Sequence, residues 1–269
     1  TAWHAGGQVL RMGWPDGTTT GTAEDPWEYD TGGRLKRIPD LLWDATYDAW
    51  GHRTALRFTN GTRTEADYNA ARGWLNALRT FAPSGSVVLS QGNGRDLAGR
   101  ITSVVRGGTG ENWTYTYDDL DRLKHAANSG SAGPITQAFT YDLANNMTGQ
   151  SGVGAYAYPA QGLSAVRPHA QLSVNGQAYG YDANGNVTEG QGRDLTYDGE
   201  NRPITVVRNG TTTAYAYGPD GERIRKTVTV PVEGGGTEVR TSYYLGGEAE
   251  LSPTGVWTKY PHPEVRLVG

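Results

Sequence analysis

Tyr181-Asp182-Ala183-Asn184-Gly185-Asn186-Val187 is one copy of a phrase, Tyr-Asp-x-x-Gly, that returns along the chain about every 21 residues. Aligned on the Tyr, copies begin at Tyr29, Tyr47, Arg95 (standing in the Tyr place), Tyr117, Tyr141, Tyr181, Tyr197 and Tyr217. The next residue is Asp in seven of the eight: Asp30, Asp48, Asp96, Asp118, Asp142, Asp182 and Asp198, with Gly218 in the last. Four residues after the Tyr comes Gly33, Gly51, Gly99, Asp121, Asn145, Gly185, Asn201 or Gly221. Gly, Asn and Asp are the residues that tolerate positive φ. A repeat this specific is architecture, and it constrains every local motif inside it.

Degraded copies fill the two gaps in the series: Tyr68-Asn69, and Tyr156-Ala157-Tyr158. Successive spacings then run from 16 to 27 residues, too irregular for identical solenoid coils. Hairpins of variable length, each with two strands and two turns, fit better. Before the turns, rings alternate with small residues: Trp27 and Tyr29, Tyr115 and Tyr117, Phe139 and Tyr141, Tyr179 and Tyr181, Tyr215 and Tyr217. Period two puts both rings on one strand face. The Asp carboxylate accepts backbone N–H bonds at the turn, and the Gly/Asn/Asp position suits a type I turn closed by a left-handed residue. Arg, Asn or His follows, then an apolar return strand, as in Arg34-Leu35, Arg100-Ile101, Arg122-Leu123 and Asn186-Val187. The second connection carries Asn60-Gly61, Asn175-Gly176 and Asn209-Gly210, a two-residue hairpin signal. Single hairpins are marginal in water, whereas stacked ones share a sheet and bury their rings against neighbours.

Composition agrees. The 269 residues carry a formal net charge of −4, 39 Gly, 16 Tyr, 8 Trp and only 3 Phe. Tyr over Phe suits a thin wall wet on at least one side, because Tyr buries its ring and keeps a polar edge. With no Cys there are no disulfides and no thiol nucleophile. No apolar run is long enough to span a membrane, and no basic tract points to nucleic acid. The chain opens at Thr1 without a signal peptide, and Val265 to Gly269 read as mid-strand, so a segment of something larger is expected.

Three regions are expected. Residues 1–26 form a Trp- and Gly-rich β segment; five of the eight Trp lie in the first 50 residues. Residues 27–230 form the hairpin array, and residues 231–269 its divergent terminal hairpins. Gly234-Gly235-Gly236 is expected to be a hairpin loop, and Ser252 to Gly255 the turn of a last hairpin. Tyr68, Ala71, Leu75 and Leu78 have helical spacing, but the repeat register favours strands there.

No residue set stands out for catalysis. A glycosidase needs one carboxylate pair, and seven equivalent Asp are better explained by turn capping. His4, His52, His125, His169 and His262 are scattered without metal-ligand spacing. Gly92-Asn93-Gly94-Arg95 lacks the Lys-Ser/Thr of a phosphate loop. Asn-x-Thr at Asn60, Asn112, Asn146, Asn186 and Asn209 is what turn Asn before strand Thr produces by chance. No catalytic residue, metal or cofactor is therefore expected.

Tyr29-Asp30-Thr31-Gly32-Gly33-Arg34-Leu35 and Tyr181 to Asn186 resemble YD repeats of the Rhs family. Asp198-Gly199-Glu200-Asn201-Arg202 and Gly218-Pro219-Asp220-Gly221-Glu222-Arg223 resemble late repeats of that family. The resemblance covers about residues 27–260. Relatives include bacterial Rhs polymorphic toxins, C-type subunits of Tc toxins and teneurins. It implies an all-β fold of repeated antiparallel hairpins in a curved, spiralling sheet, the wall of a hollow shell. In the bacterial members the shell encloses a C-terminal toxin that an aspartyl autoprotease releases. Neither motif falls in this chain, so no catalytic residue is carried over. The resemblance implies a structural shell segment of a secreted or injected toxin. Its partners would be the remaining repeats, a C-terminal toxin cargo and delivery-machinery proteins. The alternative is a carbohydrate- or cell-surface-binding β-repeat module that contacts surface glycans. A β-rich polysaccharide-cleaving enzyme is a weaker third reading. An open array also leaves unpaired edges at its N-terminal strands and at Gly269, so self-association of the isolated segment is expected.

Overall fold

The computed structural model describes residues 1–108, 110–130, 135–262 and 265–268. Among these, regular structure is all strand, and every strand pair is antiparallel. The chain divides into two units, Thr1–Phe139 and Thr140–Gly269.

The first unit opens with a small sheet of Ala2–Trp3, Val9–Gly13 and Thr19–Thr20, followed by the pair Glu28–Tyr29 and Leu35–Arg37. From Leu42–Tyr47 to Ile135–Tyr141, each strand pairs with the next in chain order. The best-buried apolar side chains collect near the start of this unit: Met12, Trp14, Trp27, Leu35, Ile38 and Leu42. Ile38 and Leu42 are sealed from solvent at 0% and 1% exposure. Trp27 is tied in through its backbone N–H to Leu10 C=O and its indole N–H to Thr20 C=O. Trp14 and Trp27 thus belong to this core, whereas Trp3, Trp43 and Trp50 are exposed.

In the second unit, strands pair in chain order from Gly180–Tyr181 to Val265–Val268. Here there is little core. Every residue of Thr211–Tyr217 is half-buried, so neither strand face is sealed by a second layer. The Gly234 to Gly236 loop joins Arg223–Pro231 to Thr237–Leu245, with all three glycines at φ near +90°. At Ser252 to Gly255, Ser252 N–H donates to Val256 C=O and Gly255 N–H to Ser252 C=O. Arg63–Tyr68 and Leu75–Phe81 are strands, as the repeat register favours over the helical spacing.

Three expectations are corrected. Among the described residues the pairing is not one continuous ladder but falls into sheets of 3, 2, 13 and 10 strands. One break lies between Gln177–Ala178 and Gly180–Tyr181, where Tyr179 N–H still bonds back to Leu172 C=O in the register of the Ser173–Val174 pairing and the next sheet begins at Gly180. Asn60-Gly61 does not form a two-residue turn: Gly61 alone has positive φ there, and Thr59 extends the loop. Asn175-Gly176 and Asn209-Gly210 both have two positive φ angles, as a type I′ turn requires. Finally, the Tyr156–Tyr158 copy has no hairpin turn. A loop runs over residues 158–172, closed by Leu172 N–H to Ala157 C=O. This copy has no Asp to cap a tight turn, and Pro159 and Pro168 remove two N–H donors. The end of the last strand at Gly269 lies outside the described residues.

Candidate functional site

The recurring residues meet at one kind of place, the joint between a turn and the next copy. In every copy that carries Asp, the turn makes the same bonds. Asp118 N–H donates to Arg122 C=O at 2.9 Å, and Asp121 N–H donates back to Asp118 C=O at 3.0 Å. Asp118 Oδ1 accepts the N–H groups of Leu120 at 3.0 Å and Arg122 at 2.9 Å. Its Oδ2 accepts Arg122 Nε–H at 2.7 Å. Asp30, Asp96 and Asp198 repeat this with Arg34, Arg100 and Arg202. Asp142 and Asp182 use the amides of Asn146 and Asn186, and Asp48 uses His52. The strand register shifts just before the Tyr, as at Thr116/Tyr117 and Thr196/Tyr197, so the left-handed residue closes a bulge. Gly33, Gly51, Gly99, Gly185 and Gly221 lie at φ of 77°, 88°, 92°, 91° and 82°, and Asp121, Asn145 and Asn201 at 62°, 67° and 61°.

These bonds hold the carboxylates ionised. Asp30 and Asp198 lie below the usual carboxylate range chiefly through the backbone N–H of Arg34 and Arg202. For Asp96 and Asp182 the leading cause is the side chain of Arg100 and Asn186. For Asp48, Asp118 and Asp142, desolvation is the largest single influence and pushes upward, but the hydrogen bonds together outweigh it. Such carboxylates are acceptors in a turn and are poorly suited to proton transfer near neutral pH.

The joint itself has three ties. The Tyr hydroxyl donates to the backbone carbonyl six residues beyond the first residue of the previous copy: Tyr47 to Leu35 at 2.7 Å, Tyr117 to Ile101 at 2.6 Å, Tyr197 to Val187 at 2.8 Å and Tyr217 to Pro203 at 2.8 Å. The Arg paired with the turn Asp lies over the ring of the next copy: Arg34 over Tyr47 at 4.6 Å, Arg100 over Tyr117 at 4.9 Å, Arg202 over Tyr217 at 4.8 Å. Its far end reaches the next turn, as Arg34 Nη1 to Asp48 C=O at 3.3 Å and Arg100 Nη1 to the Asp121 carboxylate. Desolvation in these joints raises the Tyr47 and Tyr217 hydroxyls above the ordinary phenol range. A cation over an aromatic face is worth about 0.5–1 kcal/mol at an exposed site, and a satisfied hydrogen bond about 1 kcal/mol. Such ties recur from joint to joint in sheets that bury little apolar side chain beyond the first copies.

The variant copies keep the joint by other means. Where Arg95 stands in the Tyr place, the partners are exchanged: Trp74 from the preceding turn lies under the Arg95 guanidinium at 5.7 Å. Arg167, from the 158–172 loop, lies over Tyr181 at 5.8 Å and donates to Asp182 C=O, while Tyr181 OH donates to Gln171 C=O. The loop thus replaces the missing turn. His169 Nδ1 meets Asn146 Oδ1 at 2.8 Å, and Asn186 Nδ2 reaches Asn201 Oδ1 at 2.8 Å. In the last copy Glu222 occupies the space an Asp at Gly218 would take: a Cβ on Gly218 would stand 2.6 Å from Glu222 Oε1. Sequence reasoning placed the turn residues but treated Arg34, Arg100, Arg122 and Arg202 only as the start of a return strand. Their recurrence five residues after the Tyr was the available signal.

Among the described residues, no group of three or more His, Asp and Glu could hold a metal, and no helix is long and apolar enough to cross a membrane.

Solved structures of Tc toxin proteins share this fold. A TcdB2-TccC3 crystal structure lacking its hypervariable C-terminal region matches with a TM-score of 0.65 and 17% identity, over 95% of this chain and 15% of that one. The Photorhabdus luminescens Tc holotoxin pore, a TccC3 mutant, matches with a TM-score of 0.58 and 17% identity, over 97% of this chain and 17% of that one. The chain therefore spans about a sixth of the matched structures' length. No protein-family model and no curated protein matches it.

Proposed function

We propose that the chain is a wall segment of a shell in a longer, toxin-type protein, structural in role and without catalysis of its own. The observation that carries this reading is that the recurring Tyr, Asp and Arg side chains are committed to the joints between hairpins. The fold shared with Tc toxin chains supports it. Under this reading the partners are the remaining repeats and a C-terminal toxin cargo. The whole protein acts outside the producing cell, secreted or at the surface and handed on by delivery-machinery proteins.

The test is limited proteolysis of the natural full-length protein, followed by mass spectrometry. Sequence beyond the repeats should resist cleavage in the full-length protein and be cut readily when expressed alone. Equal digestion in both forms overturns the enclosure. Reproducible turnover of a glycan or peptide by residues 1–269, abolished by a single Asp change, overturns the non-catalytic reading. A glycan-binding module is the second reading, favoured by one observation: Trp50 is 67% exposed at a turn tip.

A further inference from the structure

We propose that the cleft at the Asp48–His52 joint binds the guanidinium group of an arginine side chain brought by another molecule. The argument starts from what fills this place elsewhere in the chain. At the Arg34, Arg100 and Arg202 joints, a resident guanidinium pairs with the turn Asp and covers the next Tyr. At the Arg34 and Arg100 joints it also reaches the following turn. The second copy has His52 in that position.

His52 makes the first two contacts and cannot make the third. Its Nδ1 meets Asp48 Oδ2 at 2.9 Å, and its ring stacks on Tyr68 with centroids 4.6 Å apart and planes 14° apart. The imidazole ends there, two heavy atoms short of an arginine Nη. Asp48 Oδ2 accepts this one side-chain donor, whereas Asp30 Oδ2 accepts both Nε–H and Nη2–H of Arg34, each at 2.7 Å. An acceptor position on Asp48 is therefore left over. The Asn69 carbonyl, which corresponds to the Asp48 carbonyl that Arg34 reaches, receives no side chain from His52.

The space that is left is a cleft of about 340 Å3 between the two turns, lined by Asp48, Trp50, His52, Asp67, Tyr68 and Asn69 among others. Its chemistry suits a planar cation. Asp48 and the exposed Asp67 give it negative charge, and no Arg or Lys lines it. Trp50 stacks with His52 at 6.3 Å between centroids and is itself 67% exposed, an aromatic wall at the rim. A guanidinium presents a flat face to an indole and forked N–H donors to a carboxylate and a carbonyl; an ammonium is a compact point charge that does neither as well. The proposal is independent of the shell reading, since it concerns one joint whatever the array encloses.

The test is an NMR titration of the isotopically labelled 269-residue chain at low salt, following the Trp50 indole N–H, assigned with Trp50→Phe. The probes are free L-arginine, an N-acetylated, C-amidated Gly-Arg-Gly peptide, the matching Gly-Lys-Gly peptide and a neutral oligosaccharide. Arginine in either form should shift the signal with a dissociation constant on the order of 10–30 mM, as expected for one exposed ion pair, one cation–π contact and one hydrogen bond to a carbonyl. Lysine should bind at least threefold more weakly, and the sugar should leave the signal unmoved. Tighter binding of the peptide than of the free amino acid assigns the arginine to a polypeptide partner, and the reverse order to a small molecule. His52→Arg supplies a resident guanidinium and should abolish the response while the rest of the spectrum stays folded. Exposed Trp50→Ala, followed at the His52 ring signals, should weaken binding without unfolding. No shift at tens of millimolar arginine, equal binding of lysine, comparable binding of the sugar, or undiminished binding to His52→Arg would each overturn the proposal.

Discussion

Gly51 and Gly99 occupy the same place in two copies of one unit, yet alanine should cost very different amounts at the two. Their backbones are alike, at φ of 88° and 92°. A Cβ in this left-handed region costs roughly 1–2 kcal/mol at either site. What lies above them differs. A Cβ on Gly51 meets only the flexible tip of Arg34, with Nη1 at 3.9 Å, an ordinary contact. A Cβ on Gly99 would stand 2.8 Å from Trp74 Cζ2, with Cη2 at 3.3 Å and Cε2 at 3.4 Å. That ring is rigid and already carries Arg72 at 4.9 Å and Arg95 at 5.7 Å. Displacing it adds an overpacking cost of about 1–3 kcal/mol. Gly51→Ala should thus destabilise by about 1–2 kcal/mol and Gly99→Ala by about 2–5 kcal/mol. Urea unfolding followed by circular dichroism is the assay, with the midpoint shift compared at constant m-value. A double-mutant cycle with Trp74→Val isolates the overlap: it should remove the excess at Gly99 and leave the φ cost. Equal midpoint losses for the two alanine variants would refute the idea that the joint residue presses on the next turn.

Gly185→Val should destabilise by roughly 1–2 kcal/mol or more and Gly185→Asn by less, because Asn201 and Asn145 already hold the equivalent position at positive φ; equal melting temperatures would count against the turn assignment. Tyr117→Phe, which removes the 2.6 Å bond to Ile101 C=O and keeps the ring, should cost about 1 kcal/mol in the same urea assay; an unchanged midpoint would mean the hydroxyl does not fasten the joint. The seven turn Asp have folded pKa values below their unfolded ones, so their stabilisation is present above the unfolded carboxylate pKa of about 3.9 and is lost as pH falls through the folded values. Stability should hold from neutral pH to about 4 and then drop, and Asp118→Asn should flatten that acid limb; the same limb in both proteins refutes the link. Gly218→Asp alone crowds a second carboxylate against Glu222, whereas Gly218→Asp with Glu222→Arg rebuilds the joint of the other copies. The pair should show a favourable coupling of about 1 kcal/mol, and strict additivity would argue against it.

The turns were legible in the sequence because their constraint is local. Positive φ selects Gly, Asn or Asp at one position, and a carboxylate facing bare amides selects Asp three positions earlier, so both choices surface as a motif. The joints were less legible because their partners lie one copy apart at a spacing that varies. Arg95 in a Tyr place is the clearest case: alone it looks like decay, and only beside Trp74 does it become the same cation–π contact with the partners exchanged. The 158–172 loop was hidden for a related reason. Its Tyr-Ala-Tyr resembles a worn copy, but the residue that completes the joint, Arg167, lies far along the loop, where no motif spacing would place it. Asn60-Gly61 shows the opposite limit, since the same dipeptide that forms a two-residue turn at Asn209 accommodates a longer loop when Thr59 pairs with Leu41 C=O.

The irregular spacing of the copies has a physical explanation in the same joints. Each tie links a turn corner to the next turn corner, through a Tyr hydroxyl, a guanidinium and a backbone carbonyl that all lie within a few residues of the Asp. The strands running away from those corners take no part, and they vary from two residues at Gly180–Tyr181 to nine at Arg223–Pro231. Lengthening a hairpin therefore changes how far it extends from the row of joints without altering any joint, and spacings of 16 to 27 residues are all compatible with one fastening. A joint is accordingly rebuilt with His52 and Tyr68 or with Trp74 and Arg95 inside a continuing ladder, and with Arg167 from a loop at the break between Gln177–Ala178 and Gly180–Tyr181.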